Sequence, residues 1–186
     1  MDFDLRSRAG LPEHLRYLAD KYPREMWTGH PNFNGLTSFW LDRHLMFRNV
    51  QERMQQETKL YLDRNADARQ FGQNIYRLAG FFINELHGHH NIEDAHYFPM
   101  LCDREKRLKE AFELLDADHH AMDGLLADLT GHTNALLQAL AAGKPARNEA
   151  GVFHRSVDAF AGFLDRHLAD EEEIVVPVIL EHAIRD

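Results

Sequence analysis

The sequence predicts an all-α protein: an up-down-up-down antiparallel four-helix bundle preceded by a short extra helix. Three observations point there. Apolar residues recur at three- and four-residue steps over four long stretches. Strand signals are scarce, with no sustained apolar–polar alternation and few β-branched runs. Each long stretch is bounded by residues that start or stop helices, which leaves only short connections.

The elements follow in order. Leu11 to Tyr22 reads as the short extra helix, with Pro12 in its first turn. Residues 1–35 form an N-terminal extension and 36–186 the bundle. The first long helix runs from Leu36 to about Leu62, with Leu36, Phe39, Trp40, Phe47, Val50, Met54 and Tyr61 on its stripe. Asn65-Ala66-Asp67 breaks the chain, and Asn or Asp there can cap a helix. The second helix spans Asp67 to about Phe98 and is expected to end at Pro99, which cannot continue it without a kink. The third runs from about Arg107 to Ala141, carrying Phe112, Leu115, Met122 and Leu129, and stops at Gly143 and Pro145. The fourth runs from about Asn148, a candidate cap, to Val176 before Pro177. Helices of ~30 residues are ~45 Å long, and short turns make neighbours antiparallel.

Composition narrows the function. The 186 residues suit one domain. Thirty acidic against 21 basic residues leave a net charge of −9, so nucleic acid is not the expected partner. No apolar run approaches the ~20 residues that cross a bilayer. The N-terminal stretch MDFDLRSRAG carries charge where a signal peptide is apolar. Cys102 is the single cysteine, which excludes an intramolecular disulfide and a cysteine-based zinc site. A cytoplasmic location is expected.

The unusual feature is 13 histidines. Helix two ends HHNIEDAHYFP and helix four HLADEEEIVVP. Aligned on Pro99 and Pro177, both read His-x-x-x-Glu-x-x-x-x-x-Pro, pairing His89 with His167 and Glu93 with Glu171. Residues four apart share a helix face, so each pair can point inward together. Imidazole and carboxylate suit iron, manganese or zinc. His44 and His119 lie on the apolar stripes of helices one and three. In helical hairpins, residues equidistant from the turn lie at one height. The point midway between His44 and His89 falls in Asn65-Ala66-Asp67, and that between His89 and His119 in Cys102-Asp103-Arg104. The point midway between His119 and His167 is Gly143. All four regions can therefore share one layer.

Alternatives stay open at this point. His90 with Asp94 has the spacing of His89 with Glu93, although the second motif repeats the latter register. His120 competes with His119. Asp118, Asp165 and Glu172 could orient imidazoles. Within Asp170-Glu171-Glu172-Glu173 only Glu171 has the register to face inward. Glu93-x-x-His96 matches half of a ferritin-like motif, whose second copy would need a His at Ile174.

Four single histidines, two His-x-x-x-Glu pairs and a four-helix frame resemble the hemerythrin-like (HHE cation-binding) family over about residues 36–181. The resemblance implies a carboxylate-bridged non-heme di-iron centre, two iron ions with an oxo or hydroxo bridge. His44, His89, His119 and His167 would be terminal ligands, and Glu93 and Glu171 would bridge. Such a centre leaves about one position per metal for O2, NO or peroxide. The chain departs from the oxygen-carrying hemerythrins: Asp123 stands four after His119, and Glu171 and Glu172 stand four and five after His167. It looks more like relatives linked to iron handling and nitrosative or oxidative stress. Iron storage without turnover, or a zinc- or manganese-loaded structural bundle, are the competing expectations.

Overall fold

The computed structural model describes residues 4, 5 and 7–185. Met1, Asp2, Phe3 and Arg6 of the charged N-terminal stretch, and Asp186, lie outside them. Among the described residues all regular structure is helical and no strand occurs. The helices are α1 (Tyr17–Lys21), α2 (Gly35–Leu62), α3 (Ala68–Ile92), α4 (Phe98–Arg104), α5 (Lys109–Ala141) and α6 (Arg147–His182).

Local chemistry sets most of the ends. The Asn34 side chain accepts from the Leu36 N–H at 3.0 Å and starts α2. Asp67 does the same for α3 through the Gln70 N–H at 2.9 Å. Gly143, at φ +66°, closes α5: its N–H reaches the Leu140 carbonyl and the Lys144 N–H reaches Ala139. After α2 the same turn is made by Arg64 at φ 62°.

Five expectations need correction. The N-terminal helix is broken: a 3-10 turn at Glu13–Leu15 precedes α1, with Arg16 at φ −90°, ψ −2° between them. A segment this short is shaped by burial rather than propensity, and Leu11, Leu15 and Leu18 are all buried. Asn148 does not cap α6, which already begins at Arg147. Pro99 does not end the second helix. A π-turn at Glu93–Tyr97, with the Phe98 N–H on the Glu93 carbonyl, resets the register, and Pro99 then sits in the first turn of α4. Pro177 does not end α6, which runs on to His182. An interior proline costs ~3 kcal/mol. Here Val175, Val176, Val178, Ile179 and Leu180 are all buried around it, and that burial outweighs the loss. Phe39, placed on the α2 stripe by periodicity, is 58% exposed.

The chain forms two compact units, and α2, α3, α5 and α6 each contribute a segment to both. One unit comprises residues 46–89 and 122–162. Its core has Phe82 edge-on to both Phe47 and Phe160, and Tyr61 stacked on Phe71. The other comprises 1–45, 90–121 and 163–186. Leu11, Leu15 and Leu18 pack there with Trp40, Phe98 and Ile179. Trp27 packs with Val176 and Leu180, and the Asn32 and Asn34 amides donate to the Leu180 and Ile184 carbonyls at 2.7 and 2.8 Å. The N-terminal segment thus wraps the last turns of α6.

Candidate metal centre

The inward stripe of α2 runs through Leu36, Trp40, His44 and Phe47, all buried. His44 therefore takes a core position by helical spacing alone. The end of α3 supplies His89 and His90, and the π-turn supplies Glu93 and Asp94. From α5 come Asp118 and His119, and from α6 come His167, Asp170, Glu171 and Glu172. All of these except Asp94 are buried.

The donors gather into two groups. His44, His89, Glu93 and Glu171 each offer one ligand atom, all within 4.8 Å of one another. His90, His119 and His167 form the second group on the same criterion. Glu171 faces both. Its Oε1 lies 3.3 Å from His44 Nε2, and its Oε2 lies 3.3 Å from His167 Nε2. Glu93 Oε2 is 3.7 Å from His119 Nε2. The indole N–H of Trp40 donates to Glu171 Oε1.

Behind the histidines stand carboxylates. His44 Nδ1 is 3.0 Å from Glu172, His119 Nδ1 is 2.7 Å from Asp94, and His167 Nδ1 is 3.4 Å from Asp118. A carboxylate only accepts, so each Nδ1 carries a proton and each Nε2 turns inward. His119 and His167 then face one another Nε2 to Nε2 at 3.1 Å, and His44 faces a carboxylate oxygen. These contacts need positive charge among them, supplied by a second ring proton or by a bound cation. Carboxylate-backed imidazoles with bridging carboxylates are what a divalent or trivalent cation requires. The donor set fits a metal.

A second ring of charge holds the backing acids. Arg8 Nε donates to Asp170 at 2.8 Å, and its Nη1 and Nη2 donate to Asp118. Arg166 donates to the other Asp170 oxygen. Arg24 donates to Glu172 at 2.6 Å. Two arginines of the N-terminal segment therefore stand behind the carboxylates that orient His167 and His44.

Protonation reflects the crowding. Burial opposes charge on His167, but Asp118 and Glu171 reverse the effect and push its pKa up to about 9. His44 is raised for the same reason, with burial overcome by Glu171 and Glu172. Burial, then the charge of Glu171, drives Glu93 well above the usual carboxylate range. Glu171 is held well below it because His44 and His167 outweigh its burial. Burial lowers His119 despite its bond to Asp94.

The Hemerythrin HHE cation binding domain model matches residues 35–179. The chain belongs to this family. Comparison with curated proteins and with solved structures gave no significant match. In this hemerythrin HHE domain His44, His89, Glu93 and Glu171 fall in one donor group, and His119 and His167 fall in the other. His120 is exposed and bonds the Asp116 carbonyl, while His87, His96, Asp123 and Asp165 are also exposed. Asp118 and Glu172 sit behind imidazoles, as their flanking positions suggested. The acidic run needs correction: Asp170, Glu171 and Glu172 are all buried, not Glu171 alone. They are tolerated because Arg8, Arg166, Arg24 and the histidines neutralise them. Sequence reading missed Arg8, Arg24, Asp94 as the partner of His119, and that His89 and His90 fall in different donor groups. The HH pair was a usable signal, whereas nothing local marks Arg8.

Proposed function

We propose that this domain is a non-heme di-iron protein that binds or reacts with O2, NO or peroxide and serves iron, oxidative or nitrosative stress handling in the cytoplasm. The reading takes α2, α3, α5 and α6 as the up-down-up-down antiparallel bundle of residues 36–186, with 1–35 as its extension. His44, His89, His119 and His167 would be terminal ligands, and Glu93 and Glu171 would join two irons. Glu171 carries the proposal, because its two oxygens reach imidazoles of different donor groups. When bound, iron supplies reversible oxidation and open positions for a small molecule. The chain's own groups hold the tautomers through Glu172, Asp94 and Asp118. Trp40 holds one Glu171 oxygen, and the Phe98 ring stacked on His119 limits water. Among the described residues no helix is long and apolar enough to cross a membrane.

Metal content and the absorption spectrum of freshly purified protein test the proposal. We expect about two irons per chain with near-ultraviolet and visible absorption, both lost in His89→Ala and Glu93→Ala. One zinc and no iron overturns it. Anaerobic reduction followed by O2, NO or peroxide then separates a reversible adduct from consumption, and an inert response indicates storage.

A further inference from the structure

Resting on the two-iron reading above, we propose that Arg8 is a positioning residue of the metal centre: acting through Asp118, it limits how strongly His167 donates and so biases bound iron toward the ferrous state. Arg8 lies outside residues 35–179, the span of the family match. It is nevertheless built into the site. Leu5 and Leu11 flank it in the chain, and both are buried. Arg166 Nη1 donates to the Ala9 carbonyl at 2.9 Å while its Nη2 holds Asp170. Pinned there, the Arg8 guanidinium forks onto both oxygens of Asp118 and turns its Nε to Asp170 at 2.8 Å.

One atom links the arginine to the imidazole. Asp118 Oδ2 accepts from Arg8 Nη2 and also stands 3.4 Å from His167 Nδ1. A carboxylate behind an imidazole raises its basicity as a metal ligand. A guanidinium on the same oxygen draws that density away, and its positive charge opposes the extra charge of ferric iron. The path is dry throughout, since the side chains of Arg8, Asp118 and His167 are each 3% exposed or less. His119 and His44 are backed differently. Asp94, behind His119, is part-exposed. Glu172 takes His44 and Arg24 on different oxygens, and Arg24 is half exposed, so water screens its charge. Neutralising two buried acids accounts for a cation beside Asp118 and Asp170. It does not require that this cation share the very oxygen that faces His167.

The reduction potential of the iron-loaded full chain is the readout, because a purely structural role would not fix the sign of its change. Arg8→Gln keeps a donor for Asp118 but removes the charge, Arg8→Lys keeps the charge, and Asp118→Asn removes the opposing charge. In Arg8→Gln at least one of the centre's one-electron steps should favour the ferric form a further tenfold, a fall of about 59 mV. Arg8→Lys should stay closer to the wild type. Asp118→Asn should move the same step at least tenfold the other way, and in that background Arg8→Gln should lose most of its effect. Circular dichroism melts report folding, and if Arg8→Gln does not fold, the sign of the Asp118→Asn shift is the test. An unchanged or raised potential in folded Arg8→Gln, an Arg8→Lys potential as far displaced as that of Arg8→Gln, or an unchanged or lowered one in Asp118→Asn overturns the role of Arg8. So does an equal Arg8→Gln shift in both backgrounds. Each leaves the two-iron reading standing, whereas a wild type that takes up fewer than two irons overturns both.

Discussion

Glu172 illustrates how one residue's worth depends on its two neighbours. It accepts from His44 Nδ1 on one oxygen and from Arg24 on the other. Removing that orienting acceptor should loosen the imidazole without dismantling the core. Glu172→Gln and Asp118→Asn should each weaken metal binding about 10–100-fold, measured by competition with a chromophoric chelator. Arg8 is different because its loss strands charge. Its side chain and that of Asp118 are each 3% exposed. Breaking a buried pair by removing one partner costs about 3–5 kcal/mol. Arg8→Met should lower denaturation stability by that amount, whereas Arg24→Gln, at a half-exposed cation, should cost less than about 1 kcal/mol. Arg64 carries strain of another kind. A β-carbon at φ 62° costs about 1 kcal/mol, and glycine does not meet that clash. Arg64→Gly should raise stability by about 0.5–1 kcal/mol in a urea titration.

Elements here are shaped by their surroundings as much as by their own residues. The π-turn at Glu93–Tyr97 inserts one residue before Pro99 and puts Glu93 and Asp94 on different partners, the donor group and His119. The end of α6 persists through Pro177 because the N-terminal segment covers it. The end of α6 also makes a contact that depends on pH. Glu105, just after α4, accepts from Arg107 at 2.8 and 2.9 Å and lies 3.2 Å from His182 on α6. The Arg107 bonds outweigh burial and hold its carboxyl down at about 2. The folded pKa is below the unfolded one, so this contribution is complete above about 4.5 and fades as pH falls toward 2. Glu105→Gln should destabilise the protein at neutral pH and flatten the fall in stability between those values, as followed by thermal melts.

At the scale of the molecule, folding and cation binding are linked. The donors come from four helices, so the unfolded chain has no preformed site, and a bound cation stabilises the native state. A ligand at 100 times its dissociation constant adds about 2.7 kcal/mol. Cation and proton compete for the same nitrogens. With His167 raised to about 9, metal uptake near neutrality must expel its proton. Affinity should then fall about tenfold per pH unit for each proton released below that value. Anaerobic addition of ferrous iron to weakly buffered protein should acidify the solution, and no pH change would contradict the assignment.

The amino-acid order alone determined the all-helical class, the long helices, the Asp67 cap of α3 and the core positions of His44, His89, His119 and His167. These depend on spacing within one helix and on turn residues nearby, and that information is local. The family resemblance carried by the two His-x-x-x-Glu motifs agrees with the Hemerythrin HHE match over residues 35–179. Only the tertiary structure decided that Asp170 and Glu172 are buried and that His89 and His90 fall in different donor groups. It alone decided that Arg8 stands behind Asp118, 110 positions away in the chain. A charge is stable inside only beside its counter-charge, and which residues become neighbours is settled when the whole chain packs.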